Sequence, residues 1–318
     1  MVKKTLFTFC MALTLAWAVP AKADVVLFDP DAGGGLYAPL TILGFDMAPG
    51  NSIAIGGNAL SQPGQTFQVY YQANLEAAGT FNNADNNLYF TVVAGFQETV
   101  IANIPVAGIQ LMAFDFAAGG DNFFQIYANT AEGDNLDGVC FICGTLIMSG
   151  HITAFNSPSS FTAFTAQTPV DLDQAGATDD YPTVNTITGT GAFDIKIVVD
   201  SYNALYFPNI SPGLSIGFVS ADGTTTIPFD LADPARCFIA TAGGYPAGGC
   251  VGPYGSIDGA TSVGPVNGFG PNTMFETDAN LSFQLVPEPA SLALLGLGLL
   301  GTAAAVRRRT RQQARTQA

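Results

Sequence analysis

Positive charge is what this chain most lacks. Of 318 residues only ten are Lys or Arg, against 25 Asp or Glu, and there is a single histidine. Eight of the ten basic residues sit near the ends: Lys3, Lys4 and Lys22 at one, Arg307, Arg308, Arg309, Arg311 and Arg315 at the other. The long stretch between keeps Lys196 and Arg236 against 24 acids, a net charge of −22. Nucleic acid and anionic lipid bind through clustered Lys and Arg that displace counterions, so no nucleic-acid partner is expected. The scarcity of histidine removes a His-Glu-x-x-His zinc site. His151, in Met148-Ser149-Gly150-His151-Ile152-Thr153, alternates with Ile152 and reads as a partly exposed strand residue rather than a general base. No stretch from Asp24 to Leu285 shows sustained helical periodicity.

What is present is strand chemistry. Twenty-four Phe and ten Tyr, with abundant Val and Ile, recur in short segments between Gly, Asn, Asp and Pro clusters, which argues against disorder and for an all-β chain. Thr66 to Gln72 alternates, placing Phe67, Val69 and Tyr71 toward a core and Gln68 and Gln72 toward water. Phe193 to Asp200 does the same with Phe193, Ile195, Ile197 and Val199 inward. Further strands are expected at Val25 to Phe28, Leu88 to Phe96, Ile109 to Phe116, Phe123 to Ala128, Leu146 to Phe155, Phe161 to Phe164, Leu214 to Ser220, Thr224 to Phe229 and Leu281 to Leu285. Asp222-Gly223 reads as a tight hairpin turn and Asn82 to Asn87 as a hairpin tip. About 260 residues of this kind make one acidic domain, residues 24–285, with a sandwich or jelly-roll-like architecture.

Four cysteines fall in this domain. Cys140 with Cys143, and Cys237 with Cys250 stapling a Gly/Pro-rich loop at 234–272, form the simplest disulfide set for an exported chain, and cross-pairing is the rival. Zinc is not favoured, since no histidine accompanies the cysteines. The acids suggest one cofactor, calcium: Asp134, Asn135 and Asp137 before Gly138, and Asp171 with Asp173, offer oxygens in loops, although neither set has the closing glutamate of an EF-hand. A solvated acidic loop is the competing reading.

The ends carry addresses. Lys3 and Lys4, an apolar run from Thr5 to Val19 and the small-x-small site Ala21-Lys22-Ala23 predict a signal peptide over 1–23, to be cut by signal peptidase after passage through the general secretion machinery. At the other end, Pro287-Glu288-Pro289 precedes 17 uncharged residues, Ala290 to Val306, and then Arg307, Arg308 and Arg309. Such a run is barely long enough to span a bilayer as a helix, and the arginines predict that residues 310–318 stay cytoplasmic.

These three parts in order, from 286 to 309, resemble the PEP-CTERM sorting signal of exported proteins in exopolysaccharide-producing Gram-negative bacteria. The resemblance implies that an exosortase, a membrane-embedded cysteine protease, recognises Pro287-Glu288-Pro289, removes the tail and passes the domain to the cell surface or extracellular matrix. Val184 to Ile195 and Thr277 to Phe283 also look similar to PEP-CTERM proteins associated with flocculation. The function expected is non-enzymatic: a structural or adhesive component of a biofilm or floc, with exopolysaccharide as a partner. The alternative is a secreted polysaccharide hydrolase using paired carboxylates supplied by distant strands.

Overall fold

The computed structural model describes residues 25–179, 181, 184–210, 214–238 and 272–287, with the side chains of 214–218, 220 and 285–287 excepted. The expected signal peptide, most of the 234–272 loop with Cys250, Asp180, and the sorting segment from Glu288 onward lie outside the described residues. The chain divides into two units, one of Val25–Ile210 with Ile216–Gln284 and one of the two termini with Ser211–Ser215. The first unit carries the fold; the second is almost wholly outside the described residues.

The described chain is all-β, as expected. Strands β1 (Val26–Phe28) and β2 (Leu40–Ile42) pair with each other. The main sheet is built from β3 (Gly44–Met47), β4 (Gly50–Ile55), β5 (Thr66–Ala78), β6 (Phe81–Asn82), β7 (Tyr89–Val106), β8 (Ile109–Ala117), β9 (Phe123–Asn129) and β10 (Thr145–Phe164). After a small pair, β11 (Val170–Asp171) with β12 (Asn185–Thr186), it is completed by β13 (Thr188–Tyr202), β14 (Leu214–Ile227) and β15 (Asn272–Pro287). Following hydrogen-bonded neighbours, the order runs β5, β4, β15, β14, β13, β10, β8, β7, and β7 pairs with β5 again. Eight strands thus close a circuit, which removes the exposed edges an open sheet would leave. The two packed layers of the expected sandwich are opposite walls of this one sheet.

Two positions in the circuit are shared. β3 continues the place of β4 between β5 and β15, and β9 continues the place of β8 between β7 and β10. Alternation then sorts the side chains. Phe67, Val69 and Tyr71 of β5 and Phe193, Ile195 and Ile197 of β13 line the interior, as their spacing predicts.

One end of the interior is filled by aromatic rings. Phe28, fully buried on β1, contacts Phe45, Phe90 and Phe207 at ring-centroid distances of 5.0, 5.2 and 5.8 Å, and Phe81 at 6.3 Å. Most of these contacts are edge-to-face, the arrangement that adds about 0.5–1.5 kcal/mol per pair beyond burial.

Two expectations are corrected. Asp222-Gly223 is not a turn: β14 runs straight through it, with Asp222 opposite Asp194 and Gly223 opposite Phe193. The glycine serves close approach, since a Cβ there would lie 2.1 Å from the Asp278 carbonyl oxygen and 2.9 Å from the Phe193 ring. Gln72 does not face water. It is fully buried under the loops that cover β5, and its Nε2 donates a 2.8 Å hydrogen bond to the Cys237 carbonyl.

Candidate functional site

The end of the barrel away from the aromatic plug is hollow. A cavity of about 120 Å³ lies between the walls, and its lining is dominated by apolar side chains such as Phe67, Phe114, Phe161, Ile195 and Ile227. Phe67 and Phe114 meet edge to face at 5.4 Å. Gly57, Asn58 and Ala59, from the loop joining β4 to β5, line it as well, and Ala59 packs with Ala163 and Ile187. That loop is tied down by side chains: Asn103 Nδ2 donates to the carbonyls of Ala59 (3.1 Å) and Ser61 (2.8 Å), Thr273 Oγ1 donates to Gly57 (2.8 Å), and Asn272 Oδ1 accepts from Gly56 N (2.9 Å).

Two ionisable groups line this apolar space, Glu98 and Tyr71. Glu98 on β7 is 8 % exposed, and its Oε1 accepts a 2.8 Å hydrogen bond from Ser159 Oγ on β10. Burial raises the Glu98 pKa from 4.5 to about 7, and the Ser159 hydrogen bond only partly opposes this. On the opposite wall Ser52 and Thr277 are committed to each other at 2.7 Å. The Tyr71 hydroxyl, also in the wall, is buried with no hydrogen-bond partner among the described residues, and burial followed by the Asp278 charge pushes its pKa up. Composition gave no sign of Glu98, which stood as one acid among many; the signal was Glu98 falling in phase with Ala94 and Phe96 on one strand face.

Outside the barrel, polar side chains of the sheet anchor the covering loops. Glu276 on β15 is 3 % exposed, and its Oε2 accepts from the backbone N–H groups of Asp230, Leu231 and Ala232 at 3.1, 2.9 and 3.0 Å. Asn51 Oδ1 accepts from Ala235 N, and Asn74 holds Gly133 through both its amide N–H and its carbonyl. These loops cover the sheet with Phe141, Leu172, Tyr181, Phe229 and Phe238, all fully buried.

The residues singled out from sequence are placed as follows. Cys140 and Cys143 form a disulfide, with Cα atoms 4.7 Å apart, which leaves cross-pairing out. Cys237 is buried and disulfide-bonded. Asp134 Oδ1 accepts from the N–H groups of Leu136 and Asp137, closing its own turn. The Asp137 carboxylate lies 3.5 Å from the Arg236 guanidinium, which in turn stands over the Tyr181 ring at 5.8 Å. Asp173 is buried and accepts from Ala175 N; Asp171 pairs with Asn185 across β11 and β12. Among the described residues no group of three or more His, Cys, Asp or Glu is placed to hold a metal. His151 is half-buried and meets Asp200 at 2.9 Å on the outer face of β10 and β13.

A spacing missed in the sequence is Gly213-Leu214-Ser215-Ile216-Gly217, the pattern of a hydrolase nucleophile elbow. Ser215 lies within strand β14 rather than at a strand-to-helix turn, so the context that gives the pattern meaning is missing.

An all-β domain built on a closed antiparallel sheet is the class these features define. The PEP-CTERM protein-sorting motif matches residues 285–309, and the protein is therefore a PEP-CTERM sorting domain-containing protein. That match marks it as an exported exosortase substrate with a C-terminal, membrane-anchored processing step. No curated protein and no solved structure matches the chain. Among the described residues no helix is long and apolar enough to cross a membrane, and the expected span Ala290–Val306 lies outside them.

Proposed function

We propose that this protein is a non-enzymatic component of the cell surface or extracellular matrix, freed from its membrane tail by exosortase and acting in adhesion within exopolysaccharide. The observation that carries the reading is the sorting motif at 285–309. The net charge of −22 on the stretch between the two ends suits a soluble, hydrated matrix protein.

The outer face of β10 and β13 supports a polar surface role. Ser149 and Ser201 pair at 2.8 Å, His151 and Asp200 at 2.9 Å, and Asn156 Nδ2 donates to Asp194 at 2.7 Å, all reached by solvent. Such a ladder of hydroxyl, amide and carboxylate groups exchanges hydrogen bonds readily with sugar hydroxyls.

Deleting the gene tests the reading. Dispersed cells with normal polysaccharide output are expected, restored by the intact gene but not by one lacking residues 286–318. Undiminished flocs contradict it, and sustained release of reducing ends from native exopolysaccharide by the purified protein replaces it with the hydrolase.

A further inference from the structure

We propose that the barrel interior is a binding site for a small apolar molecule bearing one hydroxyl, a phenol or an alcohol, whose O–H is received by Glu98. This site is independent of the adhesive reading, which concerns the outer surface.

The size and lining of the cavity select the ligand body. At about 120 Å³ the space is close to that of an engineered apolar cavity of roughly 150 Å³ that binds benzene. A well-packed domain closes such voids with side chains, and at the plugged end of this barrel Phe28 and its neighbours do so. At the other end Ala54, Ala94 and Ala163 point into the space where larger residues would fill it. The cost of an unfilled void argues for an occupant.

The one carboxylate of the lining, Glu98, selects the head group. An ionised carboxylate can accept about four hydrogen bonds; among the described residues Glu98 receives one, from Ser159. Its unmet capacity is for a donor. A ligand carboxylate brings a second negative charge into a low-dielectric space and is rejected. An ammonium is a compact, strongly hydrated charge with three donors, and a space lined mostly by apolar side chains repays little of its lost hydration. A single hydroxyl supplies the donor that Glu98 lacks. The loop over Gly57 to Ala59, held by hydrogen bonds from Asn103 and Thr273 rather than by strand pairing, is the segment whose opening admits the ligand.

The test uses protein purified from the cells that export it, titrated at pH 8 with p-cresol, toluene and p-toluate and followed by calorimetry and by NMR shifts. Saturable p-cresol binding is expected at least about tenfold tighter than toluene, with p-toluate weaker than both. Glu98→Gln, which keeps an acceptor oxygen but removes its charge, should weaken p-cresol binding by about threefold or more while leaving toluene unchanged. Ala163→Leu should abolish both, and Ala54→Leu, on another wall, repeats that arm should the first variant fold poorly. Equal affinity for p-cresol and toluene, a p-cresol affinity unmoved by Glu98→Gln, or no saturable binding of either overturns the assignment.

Discussion

Glu98 and Ser159 stand on β7 and β10, strands separated by β8, and join inside the barrel through a 2.8 Å hydrogen bond from Ser159 Oγ to Glu98 Oε1. Burial lifts the Glu98 pKa from 4.5 to about 7. A folded-state pKa above the unfolded one means that the native state holds the proton more tightly. The corresponding stability is fully present below about pH 4.5 and is lost as pH rises through about 7. Its full size is about 3 kcal/mol at most. Because Glu276 and Asp278 are raised by burial too, the measurement is a difference. Urea unfolding of the native protein and of Glu98→Gln, compared from pH 5 to pH 8, should show the native protein losing ground to the variant.

Phe28 fills the closed end of the barrel from a strand outside the main sheet. Phe28→Ala removes a fully buried ring in contact with Phe45, Phe81, Phe90 and Phe207, and a loss of about 3–5 kcal/mol in unfolding free energy is expected. A loss under about 1 kcal/mol would show that the plug is not part of the cooperative core.

Glu276 holds the chain at 230–232 by three backbone N–H groups. Glu276→Ala leaves those donors unpaired, at about 1–3 kcal/mol. Hydrogen exchange should locate the effect: amides 230–232 lose protection while those of β7 and β10 keep theirs.

The Cys140–Cys143 disulfide closes a very short ring, so it removes little entropy from the unfolded chain. Replacing both with Ser should cost about 2 kcal/mol in the chain-entropy account. A melting transition that disappears altogether would contradict this.

Alternating apolar residues made the longest strands legible: Thr66 to Gln72 and Phe193 to Asp200 fall inside β5 and β13. What misled was punctuation. Two expected segments at 146–155 and 161–164 are one strand, β10, whose register shifts between Phe155 and Ser160 absorb the polar interruption. Asp222-Gly223 likewise sits inside β14, because glycine permits close backbone approach as well as turns. β4, Gly50-Asn-Ser-Ile-Ala-Ile55, escaped notice because it lacks clean alternation: Asn51 is buried beneath a covering loop and bonds Ala235 N. Ring closure is a long-range property, set by the pairing of β5 with β7 and of β4 with β15, that local periodicity does not encode. Glu98 was hidden for the same reason, since its burial depends on walls contributed by strands far away in sequence.

The central claim, that the chain is cut and delivered through its sorting motif, is tested most directly by mass spectrometry of the C-terminus of the exported protein. Cells with exosortase should yield a chain ending near Pro287-Glu288-Pro289 and lacking the arginines from Arg307 onward, while cells without it should keep them. A surface-located protein that still carries residues 290–318 in exosortase-competent cells would contradict the account.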